Sequence, residues 1–262
     1  MLGIELLRHG NPQQAADAFR RVLQHSPRDP CAWCNLGIAL MQLGQWEEAE
    51  QATRHYVQLA PEDPVGPIRL GVILRRRGAH EDALILFQRA IELDPRQVVA
   101  HKELGRALMR VGRLREARQA FKEAIRLKSS HADAWCGLGE VCEEENKLGL
   151  AIRVYSDALP CVHSNRRGPI YARLGLVYGK LGDWLSSRIA LEKAIAKGES
   201  DPRLTYALGH AYNQLGEYTA ARQQELVLES IGSDLRRRLR EEIARSAEDL
   251  NNKKSPADPD AE

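Results

Sequence analysis

A glycine recurs at an almost constant interval along the chain, and this spacing constrains the fold more than any other feature of the sequence. Gly37, Gly71, Gly105 and Gly139 are each 34 residues apart. The outer members of the series are Gly3, Gly175 and Gly209. Leucine precedes the glycine in all seven registers, and alanine or serine follows twelve positions later. Two coupled columns indicate an internal repeat, in which each unit is one supersecondary element stacked on its neighbours.

Each unit contains two helical patterns separated by a short turn. Trp33, Leu36 and Leu40 follow the spacing of an apolar helical stripe, and Ala83 and Phe87 begin the same pattern in the second half of a unit. Between the halves lies a residue suited to a left-handed helix end. It is Gly10, Gly44, Gly78, Gly112, Gly182 or Gly216, with Asn146 in the fifth unit. The repeat is therefore predicted to be a pair of helices.

These columns resemble the tetratricopeptide repeat (TPR), whose 34-residue unit has Trp, Leu-Gly and Tyr in its first helix and Ala, Phe and Ala in its second, followed by Pro. The residues that carry the resemblance most directly are Trp33, Leu36, Gly37, Ala83, Phe87, Ala90 and Pro95. The resemblance covers residues 1–235. It implies an all-α fold, a right-handed superhelical solenoid of about seven antiparallel helix pairs with a C-terminal capping helix.

The repeat period also predicts the domain boundaries. The predicted segments are a partial first unit at 1–29, units at 30–63, 64–97, 98–131 and 132–165, a sixth unit at 166–201 with a lengthened junction, a seventh at 202–233, a capping helix at 234–250 and a disordered tail at 251–262. His101 takes the place of Trp33 in the fourth unit. We expect it to pack in the core rather than to take part in chemistry.

Several function classes are disfavoured by what the sequence contains. No apolar run approaches the roughly 18 residues of a membrane span, and the first ten residues lack the basic start and cleavage site of a signal peptide. The five cysteines are an odd number in a chain of 262 residues, which favours a reducing, cytoplasmic setting. Cys31 and Cys34 form a lone C-x-x-C, a weak signal for redox or metal chemistry. With no H-E-x-x-H, Gly-x-Ser-x-Gly or phosphate-cradling motif, we expect no catalysis by this chain alone, no cofactor and no metal.

The candidate binding surface lies on the first helix of each unit. There the apolar stripe runs through the repeat glycine, so residues two positions away, about 200° around the helix, lie on the opposite side. The resemblance implies that this side lines a concave groove. The predicted groove residues are Asn35, Ile68, Arg69, Val72, Arg75, Arg76, Lys102, Arg106, Met109 and Arg110. Arginine and lysine suit carboxylate recognition, and Ile68, Val72 and Met109 are expected to add apolar contact.

Charge is distributed unevenly along the chain. Residues 64–131 hold 15 Lys+Arg against 7 Asp+Glu, whereas residues 132–165 hold 2 against 6. The formal net charge of +2 is therefore a cancellation between stretches of opposite sign. We predict a protein-interaction scaffold or adaptor that binds an extended, acidic or carboxylate-bearing peptide of a partner, although any single arginine could equally be part of a solvated surface.

Two other functions remain open from the sequence. The basic middle would suit an RNA-binding helical-repeat protein, but the related pentatricopeptide repeats lack this Leu-Gly and Ala pattern. The chain could also be the non-catalytic TPR arm of a larger enzyme or of a secretion or assembly complex. The carboxylate clamp of chaperone-binding relatives is matched only at Asn35 and Arg69, which argues against that clamp. A protein partner is thus favoured over nucleic acid, and no membrane partner is expected.

Overall fold

The computed structural model describes the backbone of residues 2–254 and the side chains of residues 2–246. This part of the chain is helical and contains no strand. The α-helices are α1 (Leu2–Arg8), α2 (Pro12–His25), α3 (Pro30–Gln42), α4 (Trp46–Leu59), α5 (Val65–Arg76), α6 (His80–Leu93), α7 (Val98–Arg110), α8 (Leu114–Leu127), α9 (Ala132–Glu144), α10 (Leu148–Cys161), α11 (Gly168–Lys180), α12 (Trp184–Ala196), α13 (Pro202–Gln214), α14 (Tyr218–Ser230) and α15 (Leu235–Lys254). A short 3-10 helix, Ser164–Arg166, lies in the lengthened junction before α11.

The helices pack as consecutive pairs, α1 with α2 through α13 with α14, and each second helix also packs on the first helix of the following pair within the same compact unit. The chain forms two such units. The amino-terminal unit, Met1–Ser129, contains α1 to α8, and the carboxy-terminal unit, Ser130–Glu262, contains α9 to α15. The predicted all-α fold of stacked helix pairs is confirmed.

Local signals in the sequence set where helices begin and end. The Asp29 side chain accepts hydrogen bonds from the backbone N–H groups of Cys31 at 2.8 Å and Ala32 at 3.1 Å, which caps the first turn of α3. Gly44 ends the same helix with a φ of 73°, and Asn146 stands at the equivalent turn after α9 with a φ of 56°. Asparagine tolerates this left-handed conformation better than most side chains, as its place in the repeat predicted.

The repeat glycines are positions of close helix approach. The rings of Phe87 and Phe121, each fully buried, lie directly over Gly71 and Gly105 of the paired helix. A Cβ atom on Gly105 would lie 2.9 Å from two carbons of the Phe121 ring. The repeat glycine of the first helix and the aromatic residue sixteen positions later therefore form one interlocked contact between the helices of a pair.

His101 serves the same structural purpose as Trp33 in its own unit. Trp33 Nε1–H donates to the Pro27 carbonyl at 2.8 Å, and His101 Nε2 lies 2.9 Å from the carbonyl of Pro95. Each bond ties the start of a first helix to the proline that closes the preceding unit. His101 is 9% exposed, which confirms its predicted place in the core.

The last helix, α15, completes the core of the carboxy-terminal unit with a residue from outside the repeat. Glu225 stands where the equivalent units have Phe87 or Phe121, and it pairs with Arg240 of α15 at 2.5 Å. Leu239 of α15, fully buried, packs over Gly209 in place of the missing aromatic ring. The helix thus covers the last repeat, as a solenoid cap does.

Helix α15 extends to Lys254 and so includes the first four residues of the predicted disordered tail. The remainder of that tail, residues 255–262, lies outside the described residues. Within the described chain, no helix combines the length and the apolar character needed to cross a membrane.

Candidate peptide-binding face

The predicted groove residues all belong to the amino-terminal unit. Asn35 lies on α3, the residues from 68 to 76 lie on α5, and those from 102 to 110 lie on α7. Nine of the ten predicted residues are half-buried or exposed, and we call this set the first-helix face. Its members are Asn35, Arg69, Val72, Arg75, Arg76, Lys102, Arg106, Met109 and Arg110.

Glu103, which was not among the predicted site residues, lies at the centre of this face. Its carboxylate is only 5% exposed. Arg75 Nη2 reaches it from α5 at 3.0 Å, while Lys102 Nζ at 2.9 Å and Arg106 Nη1 at 3.5 Å approach from its own helix. Three of the predicted cations therefore converge on one carboxylate. The contact between Arg75 and Glu103 also joins the first helices of two adjacent repeats.

The electrostatic balance at Glu103 favours its ionised form. Burial alone would raise the pKa of this carboxyl, but Lys102, Arg75 and Arg106 together outweigh burial and hold the pKa below its usual value. The pKa of Arg75 is lowered, first by burial and then by the like charges of Arg106 and Arg76, against the opposing effect of Glu103.

Several donors on the face have no acceptor in the described chain. The Nε–H groups of Arg69 and Arg75 are buried and make no hydrogen bond. Arg76 and Arg110 are exposed, and within residues 2–246 neither makes an ion pair. An unsatisfied buried donor costs roughly 1–3 kcal/mol of stability.

Other predicted site residues are less available. Asn35 Nδ2 donates to the Cys31 carbonyl of its own helix at 2.8 Å. Ile68 is 8% exposed and packs with Ala90 and Ala100, which belong to α6 and α7. Ile68 therefore offers little surface to a ligand in this structure, because α6 and α7 cover it. The apolar side chains that remain on the face are Val72 and Met109, both half-buried.

The acidic first-helix residues of the carboxy-terminal unit are compensated in a different way. Arg173 of α11 pairs with Glu140, and Lys180 Nζ lies 2.6 Å from Glu143 of α9. Tyr155 also donates its hydroxyl hydrogen to Glu143 at 2.7 Å, and burial raises the pKa of this tyrosine. The predicted acidic stretch at 132–165 thus has basic partners on the next first helix.

The C-x-x-C of α3 lacks the environment of a reactive thiol. Cys31 is exposed, whereas burial raises the pKa of the Cys34 thiol despite the nearby Arg69. A raised pKa favours the thiol over the thiolate, which is the nucleophile and metal ligand. Among the residues with described side chains, no three His, Cys, Asp or Glu groups come together as metal ligands.

Sequence profiles of known protein families match this chain over the stretches that form the helix pairs. A family profile described as tetratricopeptide repeat matches residues 1–64, 102–166 and 173–234. A second profile of the same description matches residues 74–124. A search of curated proteins finds no significant match.

Solved structures share the architecture at low sequence identity. In the APC/C heterotetramer Cut9–Hcn1, the matched chain is 18% identical with a TM-score of 0.72; the match covers 93% of this chain and 48% of that one. Pseudomonas aeruginosa PilF is 19% identical with a TM-score of 0.69, over 81% of this chain and 97% of that one. A tetratricopeptide repeat protein from Parabacteroides merdae is 15% identical with a TM-score of 0.68, over 94% and 96%.

At these identities the structural likeness shows the fold alone, and the chain spans about half the length of the Cut9–Hcn1 chain that it matches. The profile matches, by contrast, extend over most of the sequence and coincide with the repeated helix pairs. The chain belongs to the tetratricopeptide repeat family.

Proposed function

We propose that this chain is a non-catalytic protein-interaction scaffold whose first-helix face binds an extended, carboxylate-rich segment of a partner protein. The observation that carries the proposal is the convergence of three cations, Arg75, Lys102 and Arg106, at one place on the first-helix face. Each lies within 3.5 Å of the Glu103 carboxylate, and the Nε–H groups of Arg69 and Arg75 have no acceptor in the described chain.

The chemistry of the face matches glutamate and aspartate side chains. Guanidinium groups bind carboxylates through two parallel hydrogen bonds, and charge-assisted bonds of this kind are about twice as strong as neutral ones. Arg75 already contacts one carboxylate, Glu103 of α7, in the free protein, and a carboxylate of the partner would compete with Glu103 for this guanidinium group. Val72 and Met109 provide apolar contact beside the charges.

Charge reversal on the face is the direct test. The double variant Arg106→Glu, Arg110→Glu is titrated with a fluorescein-labelled glutamate-rich peptide, and fluorescence anisotropy reports the dissociation constant. We expect affinity to fall by about tenfold or more, because two attractive contacts become repulsive. The matched control is Arg21→Glu, Arg28→Glu, which makes the same change in net charge at exposed positions of the same unit outside the face.

Equal weakening by both double variants would refute the proposal, since only long-range charge would then matter. The binding of a single-stranded RNA oligonucleotide by the wild-type protein is measured as well. If RNA binds more tightly than the acidic peptide and with a steeper salt dependence, the proposal is contradicted and nucleic acid is supported as the ligand.

A further inference from the structure

A cleft on the other side of α7 is lined by carboxylates rather than by lysine and arginine side chains. It lies between α6, α7 and α8 and has a volume of about 590 Å³. Its apolar floor contains Ile91, Leu104 and Leu108. Around the floor stand three carboxylates, Glu92, Glu116 and Glu123, and no lysine or arginine is among the described residues that line it. We call this the Glu116 cleft.

The repeat supplies an internal comparison for this cleft. A cleft of the same construction lies between α2, α3 and α4, with Leu36 and Leu40 as its floor. Adding 68 residues to these two leucines gives Leu104 and Leu108. In the earlier cleft Arg20 of α2 reaches across to Glu48 of α4, with 2.7 Å between Nη2 and Oε2.

The cation of the earlier cleft has no counterpart in the Glu116 cleft. The position equivalent to Arg20 is Gln88, whereas the position equivalent to Glu48 is still a glutamate, Glu116. The intervening cleft, between α4, α5 and α6, has Arg54 and Asp82 at the equivalent positions, and Arg54 there pairs with Glu50 of its own helix. Of the three related clefts, the one at Glu116 therefore keeps the carboxylate and loses the cation.

The arginines near the three carboxylates lie outside the cleft. Arg113 and Arg126 pair with Glu116 at 2.6 Å and with Glu123 at 2.5 Å, and Arg89 lies 3.4 Å from Glu92. Each pair is formed within one helix or at its start, three residues apart, so none of these three arginines bridges the cleft as Arg20 does.

The Glu92 and Glu116 side chains are 66% and 56% exposed, which leaves their carboxylates accessible to a second cation. The apolar floor lies directly beneath them.

We propose that the Glu116 cleft binds a basic, partly apolar segment of a partner protein, with an arginine or lysine of that segment in the place that Arg20 occupies in the related cleft. The aliphatic part of the bound side chain and a neighbouring leucine-like residue pack on Leu104 and Leu108, while its charged end lies between the carboxylates. The scaffold then offers two surfaces of opposite charge preference on one unit.

The test restores the missing cation. In Gln88→Arg the new guanidinium is expected to pair with Glu116 and to close the cleft. The probe is a fluorescein-labelled amphipathic peptide with arginine and leucine on one helical face. We expect Gln88→Arg to weaken its binding by about fivefold. The matched control, Gln14→Arg, adds the same charge at an exposed position of α2 outside the cleft, and we expect a change of less than about twofold there.

A second variant tests the cleft by removing a carboxylate instead of introducing an arginine. Glu116→Gln removes one carboxylate at an exposed position and should weaken the same peptide while leaving the melting temperature of the protein unchanged. Equal weakening by Gln88→Arg and Gln14→Arg, or equal binding of a peptide with glutamate in place of arginine, would overturn the proposal. Sedimentation gives a further test. If the wild-type protein self-associates and Gln88→Arg abolishes this self-association, the proposal is also overturned, because the occupant of the cleft is then a second copy of the chain.

Discussion

Replacing Glu103 by glutamine removes one negative charge from the centre of the first-helix face while preserving the size of the side chain. In the native protein this carboxylate joins α5 to α7 through Arg75, and the side chains of Arg75 and Lys102 are only 14% and 11% exposed. Glutamine can still accept a hydrogen bond from Arg75. It cannot carry the negative charge that these cations contact, so the variant leaves Arg75 and Lys102, both largely buried, without that charged partner.

The size of the effect follows from the burial of each contact. Removing one partner of a fully buried ion pair costs about 3–5 kcal/mol, whereas an exposed pair contributes about 0.2–1 kcal/mol. Arg75 and Lys102 are close to the buried case, and Arg106, at 38% exposure, is close to the exposed case. Because glutamine retains one hydrogen bond, we expect Glu103→Gln to lower the free energy of unfolding of this unit by about 2–3 kcal/mol.

The assay is hydrogen exchange of the α5 and α7 amides at neutral pH, supported by urea denaturation followed by circular dichroism. Hydrogen exchange is chosen because a repeat protein need not unfold in one cooperative step. The control is Glu116→Gln, which removes a carboxylate from an exposed pair with Arg113 and should leave exchange unchanged. Equal protection of α7 in the wild type and in Glu103→Gln would refute the idea that Glu103 joins these helices.

The difference in unfolding free energy between the wild type and Glu103→Gln should depend on pH in a defined direction. The pKa of Glu103 is lower in the folded protein than in the unfolded chain, so its contribution to stability is fully present above the unfolded pKa. The contribution is lost as the pH falls through the folded pKa, because the carboxyl then becomes protonated. The difference in stability between the wild type and Glu103→Gln should therefore shrink in acid, and a difference that grows there would contradict this assignment.

Three further predictions follow from other contacts. Gly105→Ala places a Cβ atom 2.9 Å from the buried Phe121 ring and should lower the free energy of unfolding by about 1–3 kcal/mol in urea denaturation; unchanged stability would show that the helices approach less closely. Leu239→Ala should destabilise the carboxy-terminal unit by about 2–5 kcal/mol in urea denaturation, because Leu239 is fully buried over Gly209. Its control, Leu226→Ala, should have little effect in the same measurement, because the Leu226 side chain is 61% exposed. Glu103→Gln should also bind the glutamate-rich peptide about threefold more tightly by anisotropy, since Glu103 competes with the peptide for the same cations; weaker binding would mean that Glu103 mainly positions them.

The repeat made much of the fold predictable from the sequence. The contacts of Gly71 with Phe87 and of Gly105 with Phe121 recur with the period, so one interpretation of the columns applies to several units. Asn146 was identified at its turn because glycine fills that place elsewhere. These contacts and turns depend only on residues within one helix pair. The sequence keeps those residues at a constant spacing from one repeat to the next.

Features that depend on contacts between pairs were harder to predict. Glu103 occupies the same register as Arg69, and nothing in its own helix predicts its burial, because that burial depends on Arg75 reaching it from another helix. Ile68 was placed on the exposed side, but α7 covers it. Leu239 replaces a repeat aromatic from a segment that has no repeat register, so no column could reveal it. The nearest signal for Glu103 was a lone acidic residue among Lys102 and Arg106.

The central claim, that a carboxylate-rich segment binds on α5 and α7, is tested most directly by locating the bound peptide. The glutamate-rich peptide, carrying a photoactivatable amino acid in its middle, is cross-linked to the wild-type protein, and mass spectrometry identifies the attached residues. The account predicts cross-links at the exposed edge of the first-helix face, near Val72, Arg76 and Met109, that are lost in Arg106→Glu, Arg110→Glu. Cross-links confined to other helices, or unaffected by that double variant, would contradict it.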